Sequence, residues 1–298
     1  MKTITATTRI ALKNVLFATD FSPVSEAAFL YAESVARRYG SKLIVGHVIS
    51  PMETRMVPPE GWGACQQALE DAANVQMGEL ELRLRRLPHE CTIRHGLVWD
   101  AVSDLIGEKA ADLVVLGTHG RSGLGRFLMG SVAEEVFRQA PCPVMTIGPK
   151  VLARAPEEAE FKHIVLATDL DPKSRALAYA LSLAQEFQAL LTIVHTVSPS
   201  TQKPEEMDRI VKECTEDLRA LVEPEAELWC TPEYLVKFGS PAERILEVAA
   251  EKQADLIVLG ARSAEGHLGA ATHAVAAIAH TVVSQAHCPV LTVRPNRG

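Results

Sequence analysis

The sequence predicts an α/β fold of two tandem domains, each an open five-stranded parallel sheet between helix layers. Short apolar runs alternate with segments of helical period, the pattern of strands covered on both faces and joined by crossover helices. That pattern also occurs twice, because Ala18-Thr19-Asp20 returns as Ala167-Thr168-Asp169, 149 residues further on. Finally, the apolar run Leu113 to Leu116 opens into a loop with Gly117, Gly120, Gly123, Gly125 and Gly130, as where a parallel strand hands its chain to a ligand-binding turn.

In chain order, the first strand is Val15 to Ala18, closed by Thr19-Asp20. Ser22 is a good N-cap and Pro23 sits at the first helical position, where its missing N–H costs nothing. The helix to about Tyr39 puts Ala28, Tyr31, Ala32, Val35 and Tyr39 on one face, and Gly40 ends it. A strand over Leu43 to Ile49 leads to a connection rich in proline and glycine. A long helix follows over roughly 64 to 86, then a short strand over Thr92 to His95 and a helix over Ala101 to Lys109. After the Leu113 to Leu116 strand and its loop, a helix from Ser131 to about Gln139 buries Val132, Ala133, Val136 and Phe137. Pro141-Cys142-Pro143 introduces the last strand, Val144 to Ile147.

The first domain is thus residues 1–150, and the second, after an acidic linker, 151–298. In the second copy Ile164 to Asp169 restates the first strand, Asp171-Pro172 repeats the helix cap, and Val194-His195 matches Gly46-His47. Asp255 to Gly260 restates Asp112 to Gly117, and Cys288-Pro289-Val290 restates Cys142-Pro143-Val144. The copies diverge at the glycine loop. Gly117 and Cys142 lie 25 residues apart, Gly260 and Cys288 lie 28 apart, and Ser263 stands where Gly120 would be. Counting back from the Cys-Pro anchor puts Ala276 and Ala277 opposite Gly130 and Ser131, so the second loop reads as degenerate.

Composition narrows the function classes. The chain has 298 residues, 47% hydrophobic, enough for two cores. No apolar run reaches the length of a membrane span and the first residues lack the apolar stretch of a signal peptide, so the expected compartment is the cytoplasm. Residues 1–150 carry 16 basic and 16 acidic residues, so the whole net charge of −7 lies in the second half. An acidic chain without basic runs points away from nucleic acid. The neutral half is the better host for a polyphosphate. None of the six cysteines forms a Cys-x-x-Cys pair, and they read as packed, reduced thiols. His89, Cys91 and His95 match no standard zinc spacing.

The loop after Leu116 has the chemistry of a phosphate cradle: glycines that let N–H groups approach an anion, the donors His119, Arg121 and Arg126, and a helix start at Gly130-Ser131. It lacks the Gly-Lys-Ser/Thr ending of a P-loop and the Gly-x-Gly-x-x-Gly of the dinucleotide fold. A solvated surface loop is the plain alternative, and Asp20 can equally serve as a cap of the helix beside it. The arrangement Gly117-x-x-Gly120, nine residues, then Gly130-Ser131 resembles the ATP-binding motif of the universal stress protein family, and the likeness extends over nearly the whole chain.

That resemblance implies an adenine nucleotide alpha hydrolase-like, Rossmann-like sandwich that binds ATP, with Mg²⁺ on the ATP phosphates. Carried onto this chain, it implies that Asp20 meets the nucleoside and the main chain at Val48 holds the adenine. Ala18, Thr19, Leu116 and Val132 line the same mouth. Gly117, His119, Gly120, Arg121, Arg126, Gly130 and Ser131 surround the phosphates. It also implies edge pairing of the last strands, either within one chain or in a homodimer, and an unidentified protein partner. The expected function is a nucleotide-dependent switch that holds one ATP in the first domain and turns it over slowly or not at all. The alternatives are a weak ATPase or nucleotidyl-transferring enzyme on the same fold, and an interaction module indifferent to nucleotide.

Overall fold

A computed structural model describes residues 10–55, 57–118, 129–151, 159–172, 174–198, 203–224, 226, 230–260 and 270–294, with the backbone alone at 270–276. The chain forms two compact units, Leu12–Ala159 and Glu160–Gly298, the latter together with Met1–Ala11.

The first unit contains β1 (Asn14–Thr19), α1 (Pro23–Tyr39), β2 (Lys42–Ile49), α2 (Trp62–Arg83), β3 (His89–His95), α3 (Val98–Glu108), β4 (Leu113–Gly117), α4 (Ser131–Gln139) and β5 (Val144–Ile147). Its strands are parallel in the order β3-β2-β1-β4-β5. Chain order therefore reverses between β1 and β4. Helices after the two central strands leave toward opposite faces there, which opens a crevice at the carboxyl ends. The second unit repeats the plan with β6 (His163–Thr168), α5 (Ala176–Phe187), β7 (Leu190–Val197), α6 (Pro204–Leu221), β8 (Glu233–Phe238), α7 (Pro241–Glu251), β9 (Leu256–Gly260), α8 (Ala270–Gln285) and β10 (Val290–Val293). Its parallel order is β8-β7-β6-β9-β10.

The apolar runs form the core as their lack of alternation requires. Val15 to Phe17, Leu113 to Leu116, Ile164 to Leu166 and Leu256 to Leu259 are buried. Helix α1 starts as expected, with Ser22 Oγ accepting the Ser25 N–H at 3.3 Å and Pro23 next to it. It ends on Gly40 in the left-handed region at φ 68°. Each unit also fixes the start of its central strand with one aspartate. Asp112 Oδ2 accepts the Lys13 and Asn14 N–H groups at 2.7 and 2.9 Å, and Asp255 Oδ2 accepts those of Lys162 and His163 at 2.8 and 2.9 Å. Asp112→Ala is expected to cost about 1 kcal/mol, since the two amides are water-accessible once the carboxylate is gone. A lower urea midpoint with an unchanged m-value would register it.

Three elements depart from the sequence reading. Strand β3 starts at His89 because its polar residues are paired from the side: Glu90 Oε2 accepts Lys42 Nζ at 2.6 Å, and Lys109 Nζ meets its other oxygen. The expected helix cap at Asp171-Pro172 is not used. Asp171 instead closes a turn, its carbonyl accepting the Ser174 N–H at 2.9 Å, and α5 starts at Ala176 without a side-chain cap. Helix α8 begins at Ala270, so Ala276 and Ala277 lie inside it rather than at its start.

The Lys109 and Lys42 ammonium groups hold the Glu90 carboxyl down at about 2, from an ordinary 4.5. A carboxylate with a depressed folded value stabilises the fold above its unfolded value, and that contribution fades as pH falls from about 4.5 to 2. With a third of the side chain exposed the pair is worth at most about 1 kcal/mol. The urea-midpoint difference between the wild type and Glu90→Gln should narrow over that interval. Burial pushes the Cys142 thiol up to about 12 and Cys91 up to about 11, so both are neutral at pH 7.

Candidate functional site

At the carboxyl end of β1 the chain makes a tight turn built from its own side chains. Thr19 Oγ1 accepts the Phe21 N–H at 2.9 Å, and Asp20 Oδ1 accepts the Ser22 N–H at 3.1 Å and the Ser25 hydroxyl at 2.7 Å. Phe21 takes φ 59°, an uncommon value for a residue with a side chain, and its ring lies 4.5 Å from that of His47. The His47 Nδ1 faces the Thr19 carbonyl at 2.8 Å, and a carbonyl only accepts, so this nitrogen carries the proton. Asp20 thus has the capping role beside α1. Its carboxylate is held at the mouth of the crevice by that role, and a carboxylate retains further acceptor capacity.

Strand β1 pairs with β2 only as far as Thr19 opposite His47, whereas β2 runs on to Ile49 against β3. The β2 edge that faces β1 is therefore without a strand neighbour at Val48, where main-chain groups can meet a ligand. Gly117 ends β4 against the first turn of α1. A Cβ there would lie 3.0 Å from Val24 Cγ1 and 3.2 Å from both Ser25 N and Val24 C, so any side chain would crowd the first turn of α1. The Gly130 N–H donates to the Thr118 carbonyl at 2.7 Å, which brings the two ends of the intervening segment together at the mouth. Gly130 is then the N-cap of α4 and, having no side chain, offers no side-chain bond to the first-turn amides, which are among the groups a helix leaves without an intrahelical partner.

The structure accordingly gathers Ala18, Thr19, Asp20, Val48, Leu116, Gly117, Gly130, Ser131 and Val132 at one end of one sheet. His119, Gly120, Arg121 and Arg126 lie outside the described residues. Three participants were missed by sequence reading: Phe21, Ser25 and Thr118. Only Ser25 had a legible signal, its spacing from the Ser22 cap.

The second unit repeats the turn. Thr168 Oγ1 accepts the Leu170 N–H at 3.1 Å, Leu170 takes φ 64°, Asp169 Oδ1 accepts the Asp171 N–H at 3.3 Å, and His195 Nδ1 faces the Thr168 carbonyl at 2.8 Å. Here the crevice holds a cavity of about 390 Å³. Its walls include Ala167, Thr168, Asp169, Thr196, Leu259, Gly260 and Ile278, the repeat counterparts of Ala18, Thr19, Asp20, Val48, Leu116, Gly117 and Val132. Ala277, the counterpart of Ser131, is the eighth residue of α8, so its N–H belongs to the helix ladder. At this register position the first copy begins a helix and the second is already within one.

Comparison with known proteins matches this duplicated geometry. The sequence profile of the universal stress protein family fits residues 11–148 and again 160–294. The chain belongs to the universal stress protein family. A universal stress protein of Methanocaldococcus jannaschii is 28% identical over 142 residues, 45% of this chain and 81% of the relative. One of Thermus aquaticus is 32% identical over 137 residues, 45% of this chain and 98% of the relative. Each thus corresponds to about one of the two repeats. Among solved structures, a universal stress protein of Archaeoglobus fulgidus covers 95% of this chain and 98% of its own at a TM-score of 0.67 and 18% identity, a likeness of fold. Among the described residues of this universal stress protein no helix is long and apolar enough to cross a membrane.

Proposed function

We propose that the first domain binds one ATP and that this universal stress protein acts through nucleotide occupancy rather than turnover. The observation that carries the reading is the α4 start. Gly130, tied to Thr118, brings a helix N-terminus with a glycine N-cap to the crevice between β1 and β4, and such a terminus favours a phosphate by its amides and its dipole. The motif Gly117-x-x-Gly120-x9-Gly130-Ser131 adds the glycines and cations of the segment between. Asp20 and the main chain at Val48 would take the nucleoside end.

Among the described residues no group of three His, Cys, Asp or Glu side chains is placed to hold a metal. Mg²⁺ would enter on the ATP phosphates, where it neutralises charge, and the chain would hold the complex through the nucleotide. The polar groups of the mouth support binding over chemistry: Thr19, Asp20, Ser25 and His47 are bonded to one another or to main chain, and the Ser25 hydroxyl and Asp20 carboxylate are spent on the turn that starts α1. Mass spectrometry of nucleotide released from the purified chain, with calorimetric titration of ATP, tests the reading. One ATP per chain is expected. Absence of both co-purified nucleotide and binding heat would reject it.

A further inference from the structure

The cavity at the ends of β6, β7 and β9 has a chemistry that differs from the first-copy mouth. Its volume of about 390 Å³ falls in the range of small-ligand pockets. Ile245, Leu259, Ile278 and Val293 give it apolar walls, and Asp169, Asp171, Arg175 and His195 stand at its polar side. Two carboxylates against one described cation disfavour an anion there. Helix α8 removes the other requirement for phosphate, because it runs through the position at which α4 begins and its amides at that point are within the helix. What remains is an apolar slot closed at one side by a carboxylate acceptor.

We infer that the second domain is a separate binding site for a neutral, ring-bearing molecule of nucleoside size, without phosphate, whose hydroxyl or amino donors meet Asp169. The ring lies against the apolar walls, and burial of those walls supplies most of the affinity. Ile278 and Thr196 line the slot where the first copy has Val132 and Val48, so the two sites present different surfaces to a ring. The chain then senses two ligands, a polyphosphate in one domain and a neutral molecule in the other. The inference shares with the ATP proposal only the premise that these strand ends take a nucleoside.

Methyl-labelled full-length protein separates the two readings, with adenosine and ATP as probes. Adenosine should shift the methyl signals of Ile245, Leu259, Ile278 and Val293 saturably, and ATP at equal concentration should leave them in place. The methyls of Leu116 and Val132 report independently on ATP in the first domain. Adenosine that fails to move the second-domain set at millimolar concentration would overturn the inference, as would ATP that moves it with equal affinity. Ala279→Leu, which fills the cavity wall, should remove the adenosine response. If that variant does not fold, Asp169→Asn should weaken adenosine about tenfold, the scale of one hydrogen bond to a charged acceptor. Unchanged affinity in Asp169→Asn would overturn the assignment.

Discussion

Gly130→Val should leave the melting temperature of the free protein within about 2 °C of the wild type and abolish the rise that ATP produces. The backbone makes the first half of the result. Gly130 has φ −61° and ψ 148°, an extended conformation open to any residue, so valine adds no backbone strain. The second half follows from its position. A branched Cβ at the N-cap stands where a phosphate must approach the α4 amides, and no rotamer of valine withdraws both methyls. At a hundredfold excess over Kd, one bound ligand stabilises by about 2.7 kcal/mol, roughly 5–10 °C for a domain of this size. Gly117→Val is a poorer test. Its Cβ would press on the main chain of Val24 and Ser25, so a loss of ATP binding could not be separated from a local shift of α1. A full ATP shift in Gly130→Val would place the nucleotide elsewhere, and the ATP reading of the first domain would fall.

The strands that frame both crevices were legible because parallel strands covered on both faces need continuous apolar runs, and Val15 to Ala18, Leu113 to Leu116 and their repeats supply them. The edge strand β3 was half-read. His89-Glu90-Cys91 carries no such run, and its pairing depends on Lys42 and Lys109, distant in sequence. The early start of α8 did have a signal in Ala270, Ala271, Ala274, Ala276 and Ala277, strong helix formers that counting from the Cys-Pro anchor overlooked. Phe21 at φ 59° had none, because phenylalanine has no preference for that region and the turn is imposed by Thr19, Asp20 and the start of α1. The second-unit cavity escaped for a related reason. Loss of the glycine motif reads as loss of a site, whereas the space depends on which side chains of β7, α7 and α8 face it.

The largest stability effect is expected at Gly46, where the two copies solve one packing problem differently. A Cβ on Gly46 would lie 2.9 Å from Leu105 Cδ1 and 3.6 Å from Leu16 Cδ1, and both leucines are fully buried. In the repeat the counterparts of Gly46, Leu105 and Leu16 are Val194, Val248 and Val165, all fully buried. The first set has eight side-chain carbons and the second nine, so volume is nearly kept while its distribution changes. Gly46→Val alone adds three carbons to a full space and should cost about 1–3 kcal/mol. Leu105→Val in the wild type should cost about 1 kcal/mol through the small void it leaves. Placed on Gly46→Val, the same change relieves the crowding, so it should raise the melting temperature of that variant, and adding Leu16→Val should raise it again. The reversal of sign is the decisive readout, because independent sites would add. A Leu105→Val effect that is equally destabilising in both backgrounds would show that the valine at 46 is accommodated elsewhere and that the two copies do not share this packing unit.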